Sequence, residues 1–453
     1  MPGFLRRALA PAAGLQKVLQ RHFGAAPLAS IVTAARDFPV LSRVDVQAAL
    51  DVAFAARTDT QLFGIHTPIT HETPTMAHLF TRGPYPVVLA PLQHDEIDTG
   101  EDLPARCLKN GLWLAREGRL PFAVLLSPSI RYGLTAGVHL EIAVPAGAAG
   151  ARFSQAFFRD LEIRVAEGKT YRGRVLSLEN FSEYSGRGGS VKVHRLHRVE
   201  REEIVLPEQT LRLLDRNIGG FVSQREAIRA LRFSTKKGLL FYGPPGTGKT
   251  HTIHYLASQL PEHTTLLITA EQIGFLEDYF RLARFLQPAM MVIEDVDLIS
   301  RDREQMTPGQ EILLNKLLNE MDGLREDADV LFVLTTNRPE HLEPALASRP
   351  GRIDQAIEFP LPDEAGRRKL IALYSRGLEV PDDLADLLVR RTKGASPAFI
   401  KELMRRSAQF HLEEGGGPVL RRESVDSAME EMVFAGGTLN LKLLGGSSEL
   451  AAG

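Results

Sequence analysis

The chain has 453 residues, room for about two to four domains, and its 44% hydrophobic and 24% charged residues are an ordinary globular balance. A single cysteine, Cys107, excludes an internal disulfide framework and a cysteine-based zinc site. Net charge is −2, divided as +5 over residues 1–200 and −7 over the rest, without a basic stripe, which argues against nucleic acid as a partner. No run of 18 apolar residues lacks a charge, so no membrane span is expected.

The first 36 residues hold Arg6, Arg7, Lys17, Arg21 and Arg36, and no acid comes before Asp37. Organellar transit peptides and amphipathic surface helices share that composition. The helix is the preferred reading, and the expected location is cytoplasmic, with an organellar matrix as the alternative. Further on, His66, His71, Glu72 and His78 cluster in sequence, but Pro68 and Pro74 interrupt them, so a packed loop outweighs a metal site. The acidic stretch from Asp95 to Asp102 reads as a solvated loop.

Pro121–Ser127 and His139–Val144 read as strands, Gly147–Gly150 as a flexible join, and Ala151–Ile163 as a helix. Arg174–Glu179 and Val191–Leu196 could pair as a hairpin around Ser185-Gly-Arg-Gly-Gly-Ser190. One copy of that glycine-arginine run is weak evidence for RNA.

From Leu206 the pattern changes. Strands are expected at Gly238–Tyr242, Thr264–Ala270, Ala289–Asp295 and Val330–Thr336, with helices between them, the alternation of a parallel sheet with crossover helices. Residues 362–432 read as helical only, and 436–453 as a weakly ordered tail.

The densest chemistry lies at Gly243-Pro244-Pro245-Gly246-Thr247-Gly248-Lys249-Thr250. This spacing, between a strand and a helix, is that of a phosphate-binding loop. Glycines let backbone N–H groups wrap phosphate, and the following helix presents its positive end to the same anion. Lys249 should reach the β- and γ-phosphates of ATP, and Thr250 should hold Mg²⁺. Downstream, Met290-Met-Val-Ile-Glu-Asp-Val-Asp297 delivers the carboxylates of Glu294 and Asp295 at a strand end. One would hold the metal and the other would polarise the attacking water.

With those motifs, residues 206–435 resemble an AAA+ ATPase of the group containing proteasomal regulatory ATPases and membrane AAA proteases. Leu317-Leu-Asn-Glu-Met-Asp-Gly-Leu324, Thr335-Thr-Asn-Arg-Pro339, Leu342-Glu-Pro-Ala-Leu346 and Arg349-Pro-Gly-Arg352 complete the match. The resemblance implies an α/β fold. It comprises a P-loop NTPase parallel sheet with crossover helices at 206–361 and a C-terminal helical lid at 362–435; it does not reach residues 1–205, whose mixed patterning reads as a separate N-terminal α/β domain. It also implies that Asn337 senses the γ-phosphate or the lytic water, and that Arg349 and Arg352 complete a neighbouring subunit's site. Those two arginines would require a homo-oligomer, by resemblance a six-membered ring, with residues 1–205 binding a protein substrate or adaptor. Lys393-Gly-Ala-Ser-Pro-Ala398 stands where the family has a Gly-Ala turn touching nucleotide, with Pro397 in the glycine's place.

Two departures stand out. The family's acidic pair is Asp then Glu. Here Glu294 takes the metal-side position and the shorter Asp295 takes that of the base, an order shared with the mitochondrial respiratory-complex assembly branch. Residues 271–288 are also short for a segment carrying a pore loop, and Phe275, Tyr279, Leu282 and Phe285 read as one packed helix face. The expected function is ATP-dependent remodelling of proteins, with a slowly hydrolysing, nucleotide-gated scaffold as the alternative.

Overall fold

The computed structural model describes residues 14–24, 27–57, 59–68, 71–81, 86–131, 134–178, 191–298, 309–325, 327–340 and 352–435. They fall into two compact units. The first takes in the described residues up to Tyr171 and from Val191 to Val193; the second holds Arg172–Leu178 and those from His194 onward. The Ser185–Ser190 run, the 436–453 tail, Leu342–Leu346 and Arg349 lie outside the described residues.

The first unit is built on an antiparallel sheet. Its strands are β1 (Ile31–Pro39), β2 (Gln61–His66), β3 (Val88–Ala90), β6 (Gly111–Glu117), β7 (Leu120–Arg131) and β8 (Leu134–Pro145), in the order β1-β8-β7-β6-β2-β3. β4 (His94–Ile97) and β5 (Ala105–Leu108) form a separate ribbon. β7 and β8 extend the two strands read from sequence into one long hairpin. Alternation along them feeds two cores. Phe122, Val124, Leu140 and Ile142 pack with the helices Arg43–Ala55 and Ala148–Ala166, while Ala123, Leu125 and Ala143 join Leu15, Leu19 and Phe23. The latter three lie at four-residue spacing on the helix Leu15–Phe23, the amphipathic helix expected near the N-terminus.

Three local expectations change. The acidic stretch is no simple loop: His94–Ile97 is a strand, and Asp95 pairs with Arg43 at 2.7 Å. Gly147–Gly150 is no flexible join. Gly147 caps the helix Ala148–Ala166, and Gly150 lies so near the Pro145 carbonyl that a Cβ there would sit 2.4 Å from its oxygen. His78 works locally: its Nδ1 accepts the Thr75 N–H at 3.1 Å and closes a capping box.

The second unit is a parallel α/β sheet. β9 (Val175–Leu178), β11 (Lys237–Tyr242), β12 (Thr264–Ile268), β13 (Ala289–Ile293), β14 (Val330–Thr336) and β15 (Gln355–Glu358) run in the order β9-β12-β13-β14-β11-β15; β10 (Val191–His194) follows β9 in the chain. β13 and β14 are buried along their whole length, as a sheet covered on both faces requires. β9 also lies parallel beside β12, a partner the hairpin reading did not anticipate. The Tyr279 hydroxyl anchors it, accepting the Leu178 N–H at 2.7 Å and donating to the Leu267 carbonyl at 3.0 Å. Tyr279 and Leu282 are buried and Phe275 and Phe285 half-buried, so the aromatic stripe on the helix Leu276–Phe285 serves packing. The helices Glu364–Tyr374, Asp382–Arg391, Pro397–Glu413 and Arg422–Glu430 follow, around a core that includes Leu388, Phe399, Leu403 and Val425. No helix among the described residues is long and apolar enough to cross a membrane.

Candidate nucleotide-binding site

Register brings the motifs together. Tyr242, the last residue of β11, pairs with Thr336, the last of β14, and Ile293 of β13 pairs with Leu334. The phosphate loop, the acidic pair and Asn337 therefore leave the sheet at one edge, the carboxyl ends where open α/β sheets bind ligands.

The loop's shape depends on its glycines. Gly243 has φ 143°, and a Cβ there would lie 2.3 Å from the Phe359 carbonyl oxygen, against which the loop turns. Gly246 has φ 76°, and Gly248 has φ 98° at the N-cap of the helix Lys249–Gln259. No side chain caps that helix, so its first N–H groups face the loop and suit a phosphate. The Thr247 hydroxyl closes the loop by donating to the Pro244 carbonyl at 2.9 Å.

Lys249 is 7% exposed, and its ammonium donates to the Gly243 and Pro244 carbonyls at 2.8 and 2.9 Å. Burial pushes it down to about 8, against the pull of Asp295 and Asp297. The cation thus lies inside the loop's curve with few protein dipoles to satisfy it, an environment an anionic phosphate would complete.

The two carboxylates part company. Glu294 reaches back to the helix, and its Oε1 accepts the Thr250 hydroxyl at 2.7 Å. Asp295 adopts φ 49°, a left-handed conformation that Asp tolerates better than most residues, and this carries its side chain elsewhere. Its Oδ1 accepts the Asn337 side-chain amide at 3.0 Å, and its N–H donates to the Thr335 hydroxyl at 3.0 Å. Thr250 and Glu294 supply hard oxygen donors side by side, a set that fits Mg²⁺ completed by water and phosphate oxygens.

The helical segment touches the loop directly. Ser396 caps the helix Pro397–Glu413, its hydroxyl accepting the Phe399 N–H, and Pro397 takes the first helical position, where a missing N–H costs nothing. Ala398 then donates its N–H to the Gly246 carbonyl at 3.2 Å. Proline is thus accommodated in the glycine's place, because the following residue makes the contact.

Arg352 is 8% exposed, and its guanidinium forms a two-pronged ion pair with Asp322, at the end of the helix Gly309–Asp322. Sequence reasoning passed over several other groups. Thr335 and Asp297 lie beside the acidic pair, and His251 and His254 stand on the helix Lys249–Gln259, both pushed below the usual imidazole range by burial. Only their proximity to the motifs in sequence could have flagged them.

Residues 239–361 match the family model described as "ATPase family associated with various cellular activities (AAA)". This chain carries an AAA ATPase domain. Its AAA domain is related to those of proteasomal ATPases and FtsH proteases. Over 242 residues the chain is 31% identical to a proteasome-activating nucleotidase of Methanothermobacter thermautotrophicus, a stretch covering 51% of this chain and 59% of that one. It is 31% identical over 246 residues to 26S proteasome regulatory subunit 6A of Encephalitozoon cuniculi, with the same two shares. An ATP-dependent zinc metalloprotease FtsH of Thermus thermophilus is 33% identical over 213 residues, 44% of this chain and 34% of that protein. The matches span from about a third to three fifths of these relatives, so the likeness is to one module of each.

Proposed function

We propose that this chain binds and hydrolyses ATP with Mg²⁺ and uses the cycle to remodel proteins or their complexes. The observation that carries the reading is the division of labour in the acidic pair, with Glu294 on Thr250 and Asp295 on Asn337. Bound Mg²⁺ would draw charge from the phosphate oxygens and orient them. Backbone N–H groups of Gly243–Thr250 would cradle the phosphates, and Lys249 would pair with the β- and γ-groups. Thr250 and Glu294 are the residues to hold the metal side. Asp295, aligned by Asn337, would take the proton of the attacking water, for which it must come within about 2.6–3.2 Å, directly or through one water.

In this reading the domains are 1–205 for substrate or adaptor recognition, 206–361 for the ATPase, 362–435 for the lid and 436–453 for a tail. The working form is a homo-oligomeric, cytoplasmic ring, in which Arg349 reaches a neighbour's γ-phosphate and Arg352 joins it on leaving its ion pair with Asp322. The relatives' names, a proteasome-activating nucleotidase and ATP-dependent proteases, support work on protein substrates. Phe275, the local candidate for a pore aromatic, is half-buried and Tyr279 is buried beneath β9, which favours remodelling without threading.

Phosphate release measured against protein concentration tests the shared site. Specific activity should rise steeply where the chain assembles. A constant specific activity from monomer to oligomer would reject the role of the arginines between subunits. The second reading, a slowly hydrolysing scaffold, draws on the short Asp295 side chain; single-turnover hydrolysis near background with tight ATP binding would favour it.

A further inference from the structure

Asp297 stands two residues beyond the acidic pair and is 2% exposed, so its carboxylate lies inside the protein. A buried carboxylate persists only where donors converge on it. Its Oδ1 accepts the Thr336 hydroxyl at 2.9 Å and the Asn337 backbone N–H at 3.2 Å. Thr336 Oγ1 in turn accepts the Arg338 N–H at 2.9 Å. One oxygen of Asp297 therefore organises three successive residues where β14 ends and the chain turns. The middle one is Asn337, whose side-chain amide donates to Asp295 Oδ1.

The geometry points to Asp297 as a positioning residue that fixes the Asn337 backbone, so that the Asn337 amide stays on the Asp295 carboxylate. This rests on the proposed hydrolytic role of Asp295. The shorter base gives it a physical purpose. A carboxylate with one methylene fewer has less reach to correct a misplaced orientation, and a side-chain amide on a mobile turn would lose the contact to water. Holding the backbone on either side of Asn337 leaves only its own side-chain torsions free. Asp297 does not compete for the metal position, because Thr250 bonds Glu294 and the contacting oxygen of Asp297 already has two donors.

The test compares ATP turnover, ATP binding and thermal midpoint for Asp297→Ala, Asp297→Asn, Asn337→Ala and the double variant Asp297→Ala/Asn337→Ala. Loss of a group that orients a functional residue through another costs about 10–100-fold. The expected result is a fall of about that size in kcat for Asp297→Ala, with KM and ATP binding little changed. Asp297→Asn, which keeps an acceptor oxygen toward Thr336 and Asn337, should recover most of the turnover. The double variant should fall no further than Asn337→Ala alone, because both changes break one chain of contacts. A purely structural Asp297 would instead lower stability, binding and turnover together, and its loss would multiply with that of Asn337. Either that pattern or a wild-type kcat in Asp297→Ala overturns the inference. If Asp297→Ala does not fold, Thr336→Val removes one donor at constant shape and should lower kcat at unchanged KM; an unchanged kcat overturns the inference equally. Failure of the hydrolytic reading looks different, since the wild-type chain would release no phosphate. A crystal structure of Asp297→Ala would then decide the positioning: the Asn337 amide leaves Asp295 if the inference holds and stays if it fails.

Discussion

Alanine placed at each of the three phosphate-loop glycines should produce graded damage that the local geometry ranks in advance. At Gly248 a Cβ meets nothing within 4 Å, so only the cost of φ 98° remains, roughly 1–2 kcal/mol for an L-residue in the left-handed region. At Gly246 the same kind of strain applies, and the Cβ also comes within 2.9 Å of the Ala398 methyl and 3.1 Å of the Ser396 hydroxyl. Those atoms belong to the helical segment that hydrogen-bonds Gly246, so some of the damage is relieved by pushing that segment away, for a total of about 2–3 kcal/mol. At Gly243 the Cβ would stand 2.3 Å from the Phe359 carbonyl oxygen. That carbonyl cannot retreat, because the Phe359 N–H is bonded to the Tyr242 carbonyl at 2.8 Å and its ring is buried against Phe241. A loss above about 4 kcal/mol follows for Gly243→Ala. Urea unfolding followed by circular dichroism, beside titration with a fluorescent ATP analogue, should give the order Gly248, Gly246, Gly243 in rising cost. Gly246→Ala should in addition weaken nucleotide binding more than its stability loss explains. Equal midpoints for Gly243→Ala and Gly248→Ala would refute the reasoning.

Two further outcomes concern buried polar groups. His263 is 6% exposed, its Nε2 faces the Arg225 guanidinium at 2.9 Å, and burial first, then that cation, pushes its imidazolium down to about 4. The folded state thus resists a proton that the unfolded chain accepts near 6.5. Stability should be full above pH 6.5 and fall by about 3 kcal/mol as pH drops to 4. His263→Gln should lessen that acid loss in urea titrations between pH 4 and 7, and an unchanged slope would count against the burial argument. Asp322→Ala would leave the Arg352 guanidinium buried without its carboxylate, at a cost of about 1–3 kcal/mol. A thermal midpoint equal to wild type would mean that Arg352 turns outward freely.

Much of the site was legible because its chemistry is contiguous. A phosphate loop needs its glycines, lysine and hydroxyl within eight residues, and the strand before it is a plain apolar run, so both stand out in the sequence. The acidic pair was placed by a strand end that the apolar pattern marks well, whereas Asn337 was singled out by the resemblance to AAA+ ATPases. What stayed hidden depends on pairing across long separations. Arg352 and Asp322 are 30 residues apart, and Ala398 meets Gly246 from far along the chain. β9 carries only four residues and joins β12 far along the chain, a partner its local pattern does not reveal. The short β15 beside β11 had no periodicity to reveal it. The capped start of Ala148–Ala166 was missed because glycine and alanine read as looseness, whereas Gly150 is needed for a close backbone approach.

The division between Glu294 and Asp295 is the center of the account, and turnover by Asp295→Asn tests it most directly. The variant keeps the left-handed turn and a partner for Asn337 but loses the proton acceptor. Binding of ATP should match wild type, while single-turnover hydrolysis falls by at least about 100-fold, the order expected when general-base catalysis is removed. Normal hydrolysis by Asp295→Asn, with Glu294→Gln inactive in its place, would contradict the assignment and exchange the two roles.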